Sequence, residues 1–161
     1  MKKFLKSTIF LGALLTIFTS CSKSSSDETA SNSSIPVTFT INGKSFTGTF
    51  ISGNNLTGCT SKQISLIESA NKKQSISIMN FNPAGGNFGE YLSLNACEMK
   101  LLANDTENGV TDLYNTGDGV NNIGGQITVS GKKYILNCRC KSSGDPFSAN
   151  YYQVTATWTI N

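Results

Sequence analysis

Beyond about residue 34 the sequence predicts one all-β domain, an antiparallel sandwich or barrel of about eight to ten strands with at most one short helix. Three observations carry this. Apolar and polar residues alternate with period two in several short runs, fifteen glycines are spread along the chain, and an Asn-Gly pair sits between two alternating runs.

In chain order, the first run is Val37-Thr38-Phe39-Thr40-Ile41, and Asn42-Gly43 follows it as a type I′ hairpin turn would, since both central residues need positive φ. Ala70-Asn71-Lys72-Lys73 is positioned to join a strand over 64–68 to another over 76–79. Residues 95–103 are the best candidate for a helix, of one to two turns. Ser130-Gly131 turns a second hairpin, from 127–129 into 134–140. The last run is the clearest: Tyr152, Val154, Ala156, Trp158 and Ile160 alternate with mostly Thr and Gln, a half-buried strand. The pattern fits a two-sheet sandwich and a lipocalin-like closed barrel equally.

The region before this domain carries an address. Met1-Lys2-Lys3-Phe4-Leu5-Lys6 is cationic, and residues 9–18 are apolar apart from Gly12 and Thr16. A run of about ten residues is half of what crosses a bilayer, so residues 1–20 are expected to be a removable signal peptide. Phe18-Thr19-Ser20-Cys21 resembles the bacterial lipobox, with Phe18 where leucine is usual. The resemblance implies that Cys21 becomes the mature N-terminus and carries a diacylglyceryl group, an anchor to the membrane. Cysteine parity points the same way: five cysteines cannot all pair, and giving Cys21 to lipid leaves an even set.

Residues 22–34 hold seven serines and no large apolar side chain, so they form a flexible tether spanning about 20 Å between anchor and domain. Lys23-Ser24-Ser25-Ser26-Asp27-Glu28 is similar to the acidic signals that send Bacteroidetes lipoproteins to the outer face of the outer membrane, which implies the cell surface rather than the periplasm. The hairpin Ile41-Asn42-Gly43-Lys44 and the long closing strands resemble small Bacteroidetes lipoproteins with an all-β mature part over residues 35–161. That resemblance implies location and fold class, and no catalytic motif.

Losing Lys2, Lys3 and Lys6 leaves ten basic against ten acidic residues, a neutral mature chain that argues against nucleic acid or an anionic lipid surface as the main partner. Cys138 and Cys140 share the inward face of one strand with Tyr134 and Leu136. An i to i+2 bridge would strain an extended strand, so each is expected to reach one of Cys59 and Cys97. A four-thiolate zinc site and four reduced core thiols are the alternatives.

Histidine is absent, which removes Ser-His-Asp and Cys-His catalysis and leaves carboxylates for any enzyme. No spacing among Glu68, Glu90, Glu98, Asp105, Glu107, Asp112, Asp118 and Asp145 selects a catalytic pair. Residues 104–119 look rich in oxygen ligands but do not fit a calcium loop, so no metal or cofactor is implied. Phe81, Phe88 and Phe147 fall in predicted loops as candidate binding aromatics, with plugging of the core as the other reading. The expectation is a lipid-anchored binding or structural accessory protein, not an enzyme. A carrier for a glycan or a small apolar molecule is the alternative and a carboxylate-only glycan hydrolase the third; a partner protein of the envelope is also compatible.

Overall fold

The computed structural model describes residues 34–55, 58–59, 63–92, 94–116, 124–145 and 149–160. Cys21, the signal segment, residues 22–33 of the tether, Asp118 and Phe147 lie outside the described residues. Ten strands run β1 (Ile35–Ile41), β2 (Lys44–Asn55), β3 (Gln63–Ser69), β4 (Gln74–Phe81), β5 (Gly86–Asn87), β6 (Lys100–Asp105), β7 (Val110–Asn115), β8 (Gly125–Ser130), β9 (Lys133–Ser142) and β10 (Tyr152–Thr159).

Eight of them close an antiparallel barrel in the order β1, β2, β3, β4, β6, β7, β9, β10, with β10 returning to β1. The barrel thus decides the question that alternation alone left open. Strand β9 is shared: its last residues, Cys140 to Ser142, pair with β7, while Lys133 to Cys138 pair with β8. Strand β5 continues outward from β8, and a parallel bridge from Phe88 to Met99 ties this flap back to the start of β6. The wall between β6 and β9 is therefore β7 at one level and β5 with β8 at the other.

Local sequence dictates the turns. Asn42 and Gly43 have φ of 51° and 78°, the pair of positive angles a type I′ turn requires. At Gly48 a Cβ would stand 2.1 Å from the Glu68 carbonyl oxygen, so only glycine lets β2 and β3 approach there. Residues 95–103 are not the expected helix. Their second part is β6, hydrogen-bonded between β4 and β7, with Leu101, Ala103 and Asp105 buried at period two. Pairing on both sides overrides the local helix propensity of Ala96, Glu98, Met99 and Lys100. Among the described residues the helical turn is a 3₁₀ turn, Thr106–Asn108.

An eight-stranded barrel is just wide enough for side chains to fill it, and this one is filled. Phe39, Ile41, Ile67, Ile76, Ile78, Leu101, Leu113, Leu136 and Val154 are all buried. At the end where β1 begins, Trp158 stacks on Phe50 (ring centroids 4.8 Å apart) and on Tyr134 (5.2 Å), with Phe81 edge-on to Phe50. The Tyr134 hydroxyl donates to the Pro83 carbonyl at 2.9 Å and pins the β4–β5 loop under this stack. Phe81 and Phe88 are each 1% exposed, so they plug the core and present no binding surface.

The opposite end is closed by polar groups. Buried Asp105 accepts hydrogen bonds from Gln74 Nε2 at 2.9 Å and Asn108 Nδ2 at 2.5 Å, and the Ser69 hydroxyl accepts from the Gln74 backbone N–H at 3.1 Å. The Asn104 side chain accepts the Asp112 N–H. The oxygen-rich stretch is thus a hydrogen-bonded roof, and no group of metal-ligating side chains assembles among the described residues.

Candidate functional site

The cysteines divide differently from expectation. Cys59 and Cys97 are bonded to each other, Cα atoms 5.5 Å apart, across the β2–β3 connection and the segment before β6. Cys138 and Cys140 are buried thiols on the inner face of β9. Their inward placement follows from alternation, as read; their bridges to Cys59 and Cys97 do not form, because the barrel wall keeps them inside while the other pair sits in exposed connections. A four-thiolate zinc site is excluded by the same division. Cys140 donates to the Cys138 sulfur at 3.9 Å, and Cys138 donates to the Gly124 carbonyl at 3.4 Å. The hydrogen bond to Cys138, followed by burial and the neighbouring thiol's charge, pushes the Cys140 thiol well above its ordinary range, so it stays protonated.

Outward positions of the same strand build a surface cleft. Because inward residues of β9 are Tyr134, Leu136, Cys138 and Cys140, the intervening Ile135, Asn137, Arg139 and Lys141 face outward. Registration with β10 sets Gln153 beside Arg139 and Thr155 beside Asn137; registration with β8 sets Gln126 on the other side of Asn137. The result is a cleft of about 600 Å³ lined by Asn87, Gly124, Gly125, Gln126, Asn137, Arg139 and Gln153. Its floor requires glycine: a Cβ on Gly125, whose φ is +149°, would lie 2.3 Å from the Asn137 carbonyl oxygen.

Four carboxamides and one guanidinium converge here, with no carboxylate among the described lining residues. Gln153 Nε2 donates to Asn137 Oδ1 and, at 3.0 Å, to the Cys138 carbonyl, which fixes the orientation of both amides. The Arg139 guanidinium lies 3.8 Å above the Tyr151 ring centroid, with the Lys141 ammonium 5.2 Å from the same ring. Tyr151 is 43% exposed, so this stack is a partly solvated platform at the cleft's upper end. The Arg139 backbone is pinned as well, its N–H donating to the Gly124 carbonyl at 2.7 Å.

Such a set has the chemistry to bind a polar ligand. Amides serve as donor and acceptor for hydroxyls, and a stacked, permanently charged guanidinium offers a planar fork to a carboxylate or sulfate. Neither Phe81 nor Phe88 lies in the cleft, and Phe147 is outside the described residues. Arg139, Asn137 and Gln153 went unmarked, although the alternation that sent Cys138 and Cys140 inward also sends Asn137, Arg139 and Lys141 outward. Of the candidate carboxylates among the described residues, Asp105 and Glu107 meet at Gln74 Nε2, which donates to both at 2.9 and 3.2 Å, but Asp105 is buried and Glu107 pairs with Lys73 at 3.2 Å, and neither lines the cleft.

No protein-family model, no curated protein and no solved structure matches this chain.

Proposed function

We propose that this protein is a lipid-anchored binding module of the cell envelope, held through Cys21 at the outer membrane and facing the cell surface, that takes a polar glycan bearing an acidic group in the β8–β10 cleft. The observation that carries the binding part is the convergence of Arg139 with four carboxamides on a rigid wall. Amides match sugar hydroxyls, and the guanidinium matches a uronic or sulfated substituent. The filled barrel supports this over a carrier, since an apolar molecule in the barrel mouth would need the space held by Phe50, Phe81, Tyr134 and Trp158. A hydrolase needs two carboxylates across one cleft, and none is among the described residues lining this one, which favours a binding role.

The test is calorimetric titration of the full chain against uronic-acid oligosaccharides and their neutral counterparts, with the Arg139→Ala variant alongside. Acidic glycans are expected to bind, and Arg139→Ala to weaken them by about 10-fold or more, the worth of a charge-assisted hydrogen bond. Equal affinity for neutral and acidic glycans, or an unaffected variant, would sink the reading.

A further inference from the structure

Exposed apolar side chains are not spread evenly over this barrel. Among the described residues the large ones are Ile64, Leu92, Leu94, Ile135 and Tyr151. Tyr151 precedes β10 and belongs to the end away from the start of β1. Ile64, Leu94 and Ile135 lie toward the end where the chain enters.

Strand direction fixes this. β1 begins at Ile35, and antiparallel β2 ends beside that start, so the β2–β3 connection with Cys59 lies there. Ile64 is the second residue of β3, at the same end. The disulfide brings Cys97 to Cys59, and Leu94, three residues earlier, is within about 11 Å of it by chain length alone. β9 runs parallel to β1 because both are antiparallel to β10, so Ile135 and the turn lysines Lys132 and Lys133 also fall at this end. Leu94 is 102% exposed and Leu92 70%, as far into solvent as such side chains reach.

Leu94 is held out by the segment that follows it. The buried Asn80 side chain donates to the Ala96 and Glu98 carbonyls at 2.6 and 2.8 Å, Asn95 Oδ1 accepts the Cys97 N–H at 3.1 Å, and the disulfide locks the loop's base. A leucine fixed in water by a stapled segment gains free energy only when something apolar covers it.

We infer that a lipid bilayer surface covers Leu94, Ile64 and Ile135: the end of the barrel that bears them rests on the membrane, with Lys132 and Lys133 at the headgroups. The inference builds on the anchoring proposed above. Cys21 joins the domain at this end through residues 22–34, so a tether spanning about 20 Å delivers these side chains to the lipid that holds the anchor. A fully exposed leucine on a rim with two exposed isoleucines suits shallow insertion at the headgroup–acyl boundary; in a chain of neutral net charge the acyl anchor and these side chains carry the contact, and the two turn lysines add little. The cleft with Tyr151 at its upper end then points into solution.

The experiment reconstitutes the full, processed protein into phosphatidylethanolamine–phosphatidylglycerol vesicles containing lipids brominated high on the acyl chain, using a Leu94→Trp variant and, at the opposite end, a Lys72→Trp variant. Trp158, buried in the barrel, is the constant internal emitter. Leu94→Trp emission is expected to shift to the blue and to lose most of its added intensity to bromine, while Lys72→Trp does neither. A vesicle-bound, acylated protein whose Leu94→Trp emission stays as in solution would overturn docking and leave the anchor standing. A blue shift that follows protein concentration and ignores bromine would assign the patch to a second copy and overturn docking. A chain without acyl groups that still binds with bromine quenching at Leu94→Trp would overturn the anchor alone, and one that neither binds nor shifts would overturn both.

Discussion

At the end of the barrel where β1 begins, Phe50, Trp158 and Tyr134 stack in one column; at the other end, Asp105 gathers the Gln74 and Asn108 amides while Glu107 faces Lys73. The same eight strands are thus closed by dispersion and area on one side and by directional bonds on the other. The difference shows in what each tolerates. An aromatic plug loses stability with volume removed, whereas a polar plug loses it with each donor left without an acceptor.

The largest effect is expected at the aromatic end. Trp158→Ala should cost about 3–5 kcal/mol in denaturant unfolding, by transfer and cavity together. Trp158→Phe should cost far less, because the buried indole N–H has no hydrogen-bond partner among the described residues and nothing polar is orphaned by its loss. Equal costs for the two would break the view that this end works by volume.

Replacing Cys59 and Cys97 together by serine comes next. Their separation of 38 residues predicts a loss of about 2–4 kcal/mol on the chain-entropy model, read as a lowered denaturant midpoint in non-reducing buffer. In the variant Cys138→Ala with Cys140→Ala, reductant should lower the midpoint by the same amount as in the unaltered chain, because that pair forms no bridge and Cys59–Cys97 is still present.

At the polar end, Asp105→Ala should cost about 1–3 kcal/mol through the stranded Gln74 and Asn108 amides. Asp105→Asn should recover part of it, since one oxygen remains to accept. The smallest effect is Glu107. Hydrogen bonds from Lys73 and Gln74, then the Lys73 charge, hold its carboxyl below the usual carboxylate range. A depressed folded-state value contributes stability above the unfolded carboxylate range and loses it as pH falls through the folded value. Lys73→Ala should therefore lower stability slightly at neutral pH, leave it unchanged at a pH below the folded carboxyl value, and so flatten the acid limb of stability against pH.

Strand content was legible because alternation is a local signal. Val154, Ala156 and Trp158 are inward as their spacing predicts, and the Asn42-Gly43, Ala70 to Lys73 and Ser130-Gly131 turns join the strands they were read to join. Residues 95–103 misled because Ala96, Glu98, Met99 and Lys100 favour helix locally, while the pairing that makes β6 comes from β4 and β7, distant in sequence. Disulfide partnership was illegible for a related reason: only closure of the barrel decides that Cys138 and Cys140 are walled off from Cys59 and Cys97. The cleft needed three strands in register before Arg139, Gln153 and Asn137 became neighbours.

Closure of β1 against β10 also governs when this protein can exist as a fold. The Thr40 and Thr155 hydroxyls hydrogen-bond at 2.8 Å across 115 residues of chain. Until the last strand has been synthesised, β1 and β9 each keep a bare edge, and non-local pairing of this kind folds on the millisecond-to-second scale. A growing chain is therefore still threadable when its N-terminus has long emerged, which suits passage through a narrow pore before folding. The same open edges make the unfinished chain sticky, so refolding yield should fall as protein concentration rises.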